Sequence, residues 1–213
     1  MSFQEPLKRA IAEVERAFDT DELAYLALTQ KVEHAFRDKL AFRLHKMFEQ
    51  TRPGLLVCRE WQRADLAIVD GKSPLLILEA KAGYTFDIMR GDKGYDFPTL
   101  VAGDLRKAAA LAIARTSNPE IYALVIATHP HSAPAAECRH AIKYHRDVKK
   151  YATDANNLEA VRQIMDVRMS AFELVHATAV KAGQAFGTAV SVHVWLYRSK
   201  EPGLRVASAP AAV

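Results

Sequence analysis

Residues Arg63 to Lys81 constrain this chain more than any other stretch. The apolar runs Leu66-Ala-Ile-Val69 and Leu75-Leu-Ile-Leu78 flank the turn-forming Asp70-Gly71-Lys72-Ser73. This pattern predicts strands over Arg63–Val69 and Pro74–Lys81 joined as a β-hairpin. Side chains alternate along a strand, so Leu75, Ile77, Glu79 and Lys81 share one face, and Asp65, Ala67 and Val69 share another. If the chain turns about Lys72, Asp65 falls opposite Glu79 and Arg63 opposite Lys81. Cross-strand partners have Cβ atoms about 4.5–5.5 Å apart. Two carboxylates that close repel unless one takes a proton or a cation lies between them. Two facing cations likewise need an anion. The spacing therefore predicts a metal between the acids and a phosphate or water near the bases, and hard oxygen ligands favour Mg²⁺ or Mn²⁺. The competing reading is an ordinary exposed hairpin end. Against it, each charge follows an apolar run long enough for a central strand.

The surrounding pattern predicts helices before the hairpin and a mixture after it. Pro6 suits a helix start, with Ile11, Val14 and Phe18 at helical spacing. Asp19-Thr20-Asp21 predicts an interruption and an N-cap for a second helix running to about Gln50, with the apolar stripe Val32, Phe36, Leu40, Leu44 and Met47. Arg52-Pro53-Gly54 ends it, and Leu55–Trp61 reads as a strand. Beyond the hairpin we expect a polar loop, a helix near Leu100–Arg115, a strand over Ile121–Thr128, and helices near Ala135–Tyr151 and Leu158–Ala182. A last strand covers Ala189–Tyr197. The expected architecture is α/β: a mixed central sheet of about five strands flanked by helices, in one domain over residues 1–200. The Ala- and Pro-rich tail, 201–213, reads as disordered.

Composition permits this and excludes other classes. A chain of 213 residues buries a core without staples. Cys58 and Cys138 have no partners at metal-ligand spacing, which with the absent signal-peptide pattern predicts a reduced, cytoplasmic location. No apolar run reaches membrane-spanning length. The net charge of +4 is compatible with a nucleic-acid partner without requiring one.

Asp65, followed by Glu79-Ala80-Lys81 at the end of an apolar strand, resembles the PD-(D/E)XK nuclease superfamily. The αβββαβ order over residues about 21–128 is similar to that family's restriction-endonuclease-like three-layer core. The family's Pro-Asp pair is Ala64-Asp65 here. The resemblance implies a Mg²⁺-dependent DNA endonuclease. Asp65 and Glu79 would hold the metal with the Ala80 carbonyl, and Lys81 would orient or deprotonate the attacking water. Many members add a glutamate from the first long helix, for which Glu33 is the candidate; a local ion pair with Arg37 is its alternative role. Some relatives place a Lys or Gln on the following helix, which Lys107 matches, though a solvated helix face explains it as well. Many members dimerise to cut both strands.

Arg139, Lys143, Arg146 and Lys150 step by helical intervals, with Ala141, Tyr144, Val148 and Tyr151 opposite. This is a phosphate-tracking stripe, alongside Arg63 and Lys107, or else a solvated face. His129-Pro-His131 with Cys138 and His140 matches no compact zinc set. Trp61 reads as core rather than a base-stacking platform. The loop Tyr84–Phe97, carrying Asp87, Arg90, Asp92, Lys93, Tyr95 and Asp96, reads as a substrate-contacting lid. The alternative function is a catalytically silent nuclease fold that binds nucleic acid or a protein partner; a third is a hydrolase of another phosphate ester.

Overall fold

A computed structural model describes residues 2–90, 96–114, 118–152 and 157–200. The expected tail, 201–213, lies outside the described residues. In chain order the described elements are α1 (Gln4–Val14), α2 (Glu22–Thr29), α3 (Glu33–Thr51), β1 (Leu55–Trp61), β2 (Ala64–Asp70), β3 (Ser73–Tyr84), α4 (Thr85–Arg90), α5 (Phe97–Ala114), β4 (Glu120–Pro130), α6 (His145–Tyr151), α7 (Asn157–Arg168), β5 (Glu173–Ala185) and β6 (Thr188–Arg198), with single 3₁₀ turns at Glu15–Ala17 and Ala136–His140. Among them six strands, rather than about five, form one mixed sheet in the order β1-β2-β3-β4-β6-β5.

The sheet is antiparallel except where β3 runs parallel to β4, a pairing whose crossover is carried by α4 and α5. These two strands are central, and their side chains feed cores on both faces. Leu76, Leu78, Ala80 and Ala82 of β3, with Tyr122, Leu124 and Ile126 of β4, pack with α1, α2 and α3. Ile77, Ala123, Val125 and Ala127 pack on the other side with α5 and α7. Burial on both faces explains why β4 reads as an unbroken apolar run. The result is a three-layer α/β arrangement. Among the described residues no helix is long and apolar enough to cross a membrane.

Three helices expected from the sequence are built differently. The helix expected from Asp21 to Gln50 is two, because Gln30 is extended (φ −150°, ψ 177°) after Thr29, whose hydroxyl donates to the Tyr25 carbonyl. The stripe holds in α3 through Phe36, Leu40 and Leu44, but Phe48 rather than Met47 completes its buried face. Asp21 occupies the N-cap position without capping by its side chain. It has φ 63°, and its Oδ1 instead accepts from the Gln184 N–H at 2.7 Å. Gly183 permits this approach: its φ is 97°, and a Cβ there would lie 2.2 Å from Asp21 Oδ1.

Second, the chain over 158–182 is helical only to Arg168 and then forms most of β5. Its alanines favour a helix locally, but the register with β6 and packing against α2 override that preference. The β5–β6 hairpin closes through Phe186-Gly187, both with positive φ, as a type I′ turn requires. Third, the chain over 135–151 is a 3₁₀ turn and α6, separated by Ala141–Tyr144, where Tyr144 has φ 59°. Ile142 and Val148 are its buried residues, while Ala141 and Tyr144 are exposed.

Candidate active site at the end of the central hairpin

The register that brings Asp65 to Glu79 depends on a bulge. At the turn Asp70 pairs with Ser73 and Val69 with Pro74, a two-residue hairpin about Gly71-Lys72. The register then shifts by one residue at Leu75, so that Ile68 pairs with Leu76 and Leu66 with Leu78. Continuing that register sets Asp65 opposite Glu79. Without the extra residue Asp65 would face Leu78, and the charged and apolar faces would no longer match.

Beyond Leu78 the pairing of β3 with β2 ends, while β3 stays paired with β4 as far as Tyr84. Two backbone N–H groups on the opened edge are satisfied by carboxylates. The Ala80 N–H donates to Asp65 Oδ2 at 2.8 Å, and the Ala82 N–H donates to Glu33 Oε2 at 2.9 Å. A strand residue points its N–H and C=O toward the same edge, so the Ala80 carbonyl faces the Asp65 side too. Glu33, the first residue of α3, is thus tied to β3. The alternative, a local pair with Arg37, does not form. Arg37 is buried and donates instead to Asp65 Oδ1 (3.3 Å), Asp38 (3.1 Å) and Glu60 (3.3 Å). An apolar stripe cannot reveal a buried arginine whose partners sit on β1 and β2.

Glu79 and Lys81 point toward α5. The Lys81 ammonium lies 2.7 Å from Asp104 Oδ2, and Lys107 lies 2.9 Å from Asp104 Oδ1. The anion expected beside Lys81 is therefore a carboxylate of the protein itself. Sequence reasoning passed over Asp104 although it begins the stretch Asp104-Leu-Arg-Lys107; helical spacing shows that it shares a face with Lys107 but not that this face meets β3. Arg63 is not paired within β2. With Gln62 it forms the β1–β2 turn, and Glu60, Gln62 and Arg63 all have positive φ (54°, 52° and 76°) although none is glycine. Non-glycine residues held in this region carry backbone strain. Gln62, Arg63, Ala64, Glu79, Asp104 and Lys107 line a cleft of about 520 Å³.

The electrostatics follow from this crowding. Burial, then the Asp65 and Asp104 carboxylates, raise Glu79 to about 8. Burial opposes the Lys81 charge, but Asp104, with Glu33 and Asp65 further off, outweighs it and raises Lys81 above its ordinary value. Burial also opposes the Asp104 charge, and its bonds to Lys81 and Lys107 more than offset this, lowering its pKa. A carboxyl pair that can hold only one negative charge without help fits a hard divalent cation. Among the described residues no group of three or more His, Cys, Asp or Glu side chains is placed to hold a metal ion.

The other expected site residues lie elsewhere. Arg139 is in the 3₁₀ turn, Lys143 in the connection, and Arg146 and Lys150 in α6, so they do not form one helix face. All four are exposed, and Lys143 and Lys150 lie over the Tyr144 and Tyr151 rings at 5.3 and 4.8 Å. His129 packs edge-to-face on His131 at 4.9 Å, and burial lowers both His129 and His193 to about 4. Ser191 Oγ bridges His131 and His193 at 3.0 and 3.1 Å, while Cys138 and His140 belong to the 3₁₀ turn. The first part of the expected lid is helix α4. Asp87 accepts from the Tyr84 N–H, and Arg90 pairs with Asp147 of α6. Asp92, Lys93 and Tyr95 lie outside the described residues. Trp61 packs against the α5 side of the core. Comparison with protein-family models, curated proteins and solved structures finds no match for the chain.

Proposed function

We propose that the chain is a Mg²⁺-dependent endonuclease that hydrolyses DNA phosphodiesters, built on a restriction-endonuclease-like core. The observation that carries this reading is the Asp65–Glu79 carboxyl pair where β3 parts from β2, with Glu79 raised to about 8 by burial and then by the Asp65 and Asp104 carboxylates, and with Lys81 two residues on. The order α3-β1-β2-β3-α4-α5-β4 supports it, since, apart from the short α4, it follows the αβββαβ order of the family the motif resembles.

In this reading Asp65, Glu79 and the Ala80 carbonyl would hold the ion, with Mn²⁺ as a substitute. When bound, a divalent ion supplies Lewis-acid stabilisation of the charge that develops on the phosphate. Lys81 directs its ammonium at the attacking water and the phosphate oxygens. Glu33 fixes the opened edge of β3 through Ala82, and its carboxylate would help orient the attacking water. Arg63 and Lys107, on the cleft wall, meet the phosphodiester backbone, and Arg139, Lys143, Arg146 and Lys150 supply further positive charge along it.

A second reading, binding without cleavage, is favoured by one observation: both Asp65 oxygens already accept donors from the protein, Arg37 and the Ala80 N–H. The deciding experiment is cleavage of supercoiled plasmid and of single-stranded DNA with Mg²⁺, Mn²⁺ or EDTA, comparing wild type with Lys81→Ala and Glu79→Ala. Metal-dependent nicking abolished in both variants is the expected result. DNA binding without cleavage in any metal would replace it with the second reading.

A further inference from the structure

The cleft's two lysines converge on one carboxylate. Asp104 reaches in from α5 and gives one oxygen to Lys81 and the other to Lys107, its own side chain being only 18% exposed. The other anions near Lys81 are occupied, Asp65 by the Ala80 N–H and Glu33 by the Ala82 N–H. A lysine carries about 2 kcal/mol of rotamer freedom, so one that must act at a single water needs an anchor. Lys107, 79% exposed, would otherwise extend into solvent or onto a phosphate.

We propose that Asp104 is the positioning residue of this site. It fixes the Lys81 ammonium beside Glu79 and holds Lys107 back from the phosphodiester until substrate enters. The proposal rests on the phosphodiesterase reading above. It carries an unusual signature: loss of the carboxylate should weaken turnover and strengthen binding, because the same change disorders Lys81 and releases two cations toward DNA.

The test uses the full chain as wild type, D104N, D104A and the conservative D104E. One readout needs no activity: the rate at which acetyl N-hydroxysuccinimide labels Lys81 and Lys107, followed by peptide mass spectrometry. The second is the salt dependence of binding to a fluorescein-labelled DNA duplex in EDTA. The third is kcat and KM for that duplex with Mg²⁺. In D104N both lysines should label several-fold faster. DNA binding should be unchanged or tighter, with a salt slope steeper by about 1–2. The kcat should fall about 10–100-fold without a rise in KM, as for loss of an interaction made in the transition state. D104E should recover part of kcat. If D104A fails to fold, D104N, which preserves side-chain volume, carries the comparison. A cleaving wild type whose D104N variant keeps the same kcat and Lys81 labelling overturns the proposal alone. A wild type that cleaves no DNA overturns it together with the phosphodiesterase reading, and labelling then reports whether the anchor itself exists.

Discussion

Replacing Glu79 by glutamine should erase a pH dependence of stability that the metal-free wild type carries. Burial, then the Asp65 and Asp104 carboxylates, raise the Glu79 carboxyl from its ordinary 4.5 to about 8. A carboxyl raised on folding contributes its full stabilisation below the unfolded pKa, and that contribution is lost as pH climbs through the folded value. Between those limits the slope approaches about 1.36 kcal/mol per pH unit. Taking an enclosed group from pH 6 to pH 9 would thus remove about 2.5 kcal/mol. Glu79 opens onto the cleft, and screening by water there reduces the expectation to roughly 1–1.5 kcal/mol. The assay is urea denaturation in EDTA at pH 6, 7, 8 and 9 for wild type and E79Q. Other titrating groups, such as His129 and His193, are common to both proteins and cancel in the difference. Wild type should lose stability relative to E79Q as pH rises, with most of the change between pH 6 and 8 and little beyond. Parallel profiles for the two proteins would refute the argument that Asp65, Asp104 and Glu79 crowd one site.

Adding Mg²⁺ to the metal-free protein at pH 7 should release about 0.9 proton per ion, because Glu79 must ionise to ligate; calorimetry in buffers of different ionisation enthalpy measures this, and E79Q should release none. Gly183→Ala should cost about 2–4 kcal/mol in chemical denaturation, since the new Cβ meets Asp21 and the backbone has positive φ. The double variant Arg146→Ala/Lys150→Ala should lower the salt slope of DNA binding by about 1.8 while leaving kcat at saturating DNA unchanged, as expected of phosphate contacts remote from the chemistry.

Legibility in the sequence followed the range of the interactions involved. The bounds of β1, and the hairpin with its paired acids, were readable because alternation and turn chemistry are local. The predicted register matches the observed pairs from Ile68–Leu76 to Leu66–Leu78, through a bulge at Leu75 that has no sequence signal of its own, but Arg63, expected opposite Lys81, lies in the β1–β2 turn instead. The helix expected over 158–182 failed where alanine's helix preference met a partner strand, and Gly187, just past that span, was the one local hint of a hairpin. The break at Gln30 escaped because no glycine or proline marks it. Within the site, Asp65, Glu79 and Lys81 were legible from strand spacing. Arg37 and Asp104 were not, because each reaches the site from a helix whose docking angle is set by the packed core.

The bulge at Leu75 also divides the hairpin into two parts with different freedom. Between the loop at Gly71-Lys72 and the acids lie about five residues, roughly 17 Å of strand. A change of length at the tip can be absorbed where one extra residue is already accommodated, before it reaches Asp65 and Glu79. The tip is therefore a natural place to open new chain termini or graft a guest domain, with the chemistry left in frame. The β1–β2 turn at Gln62-Arg63 has no such buffer, and lengthening it would move a wall of the cleft directly.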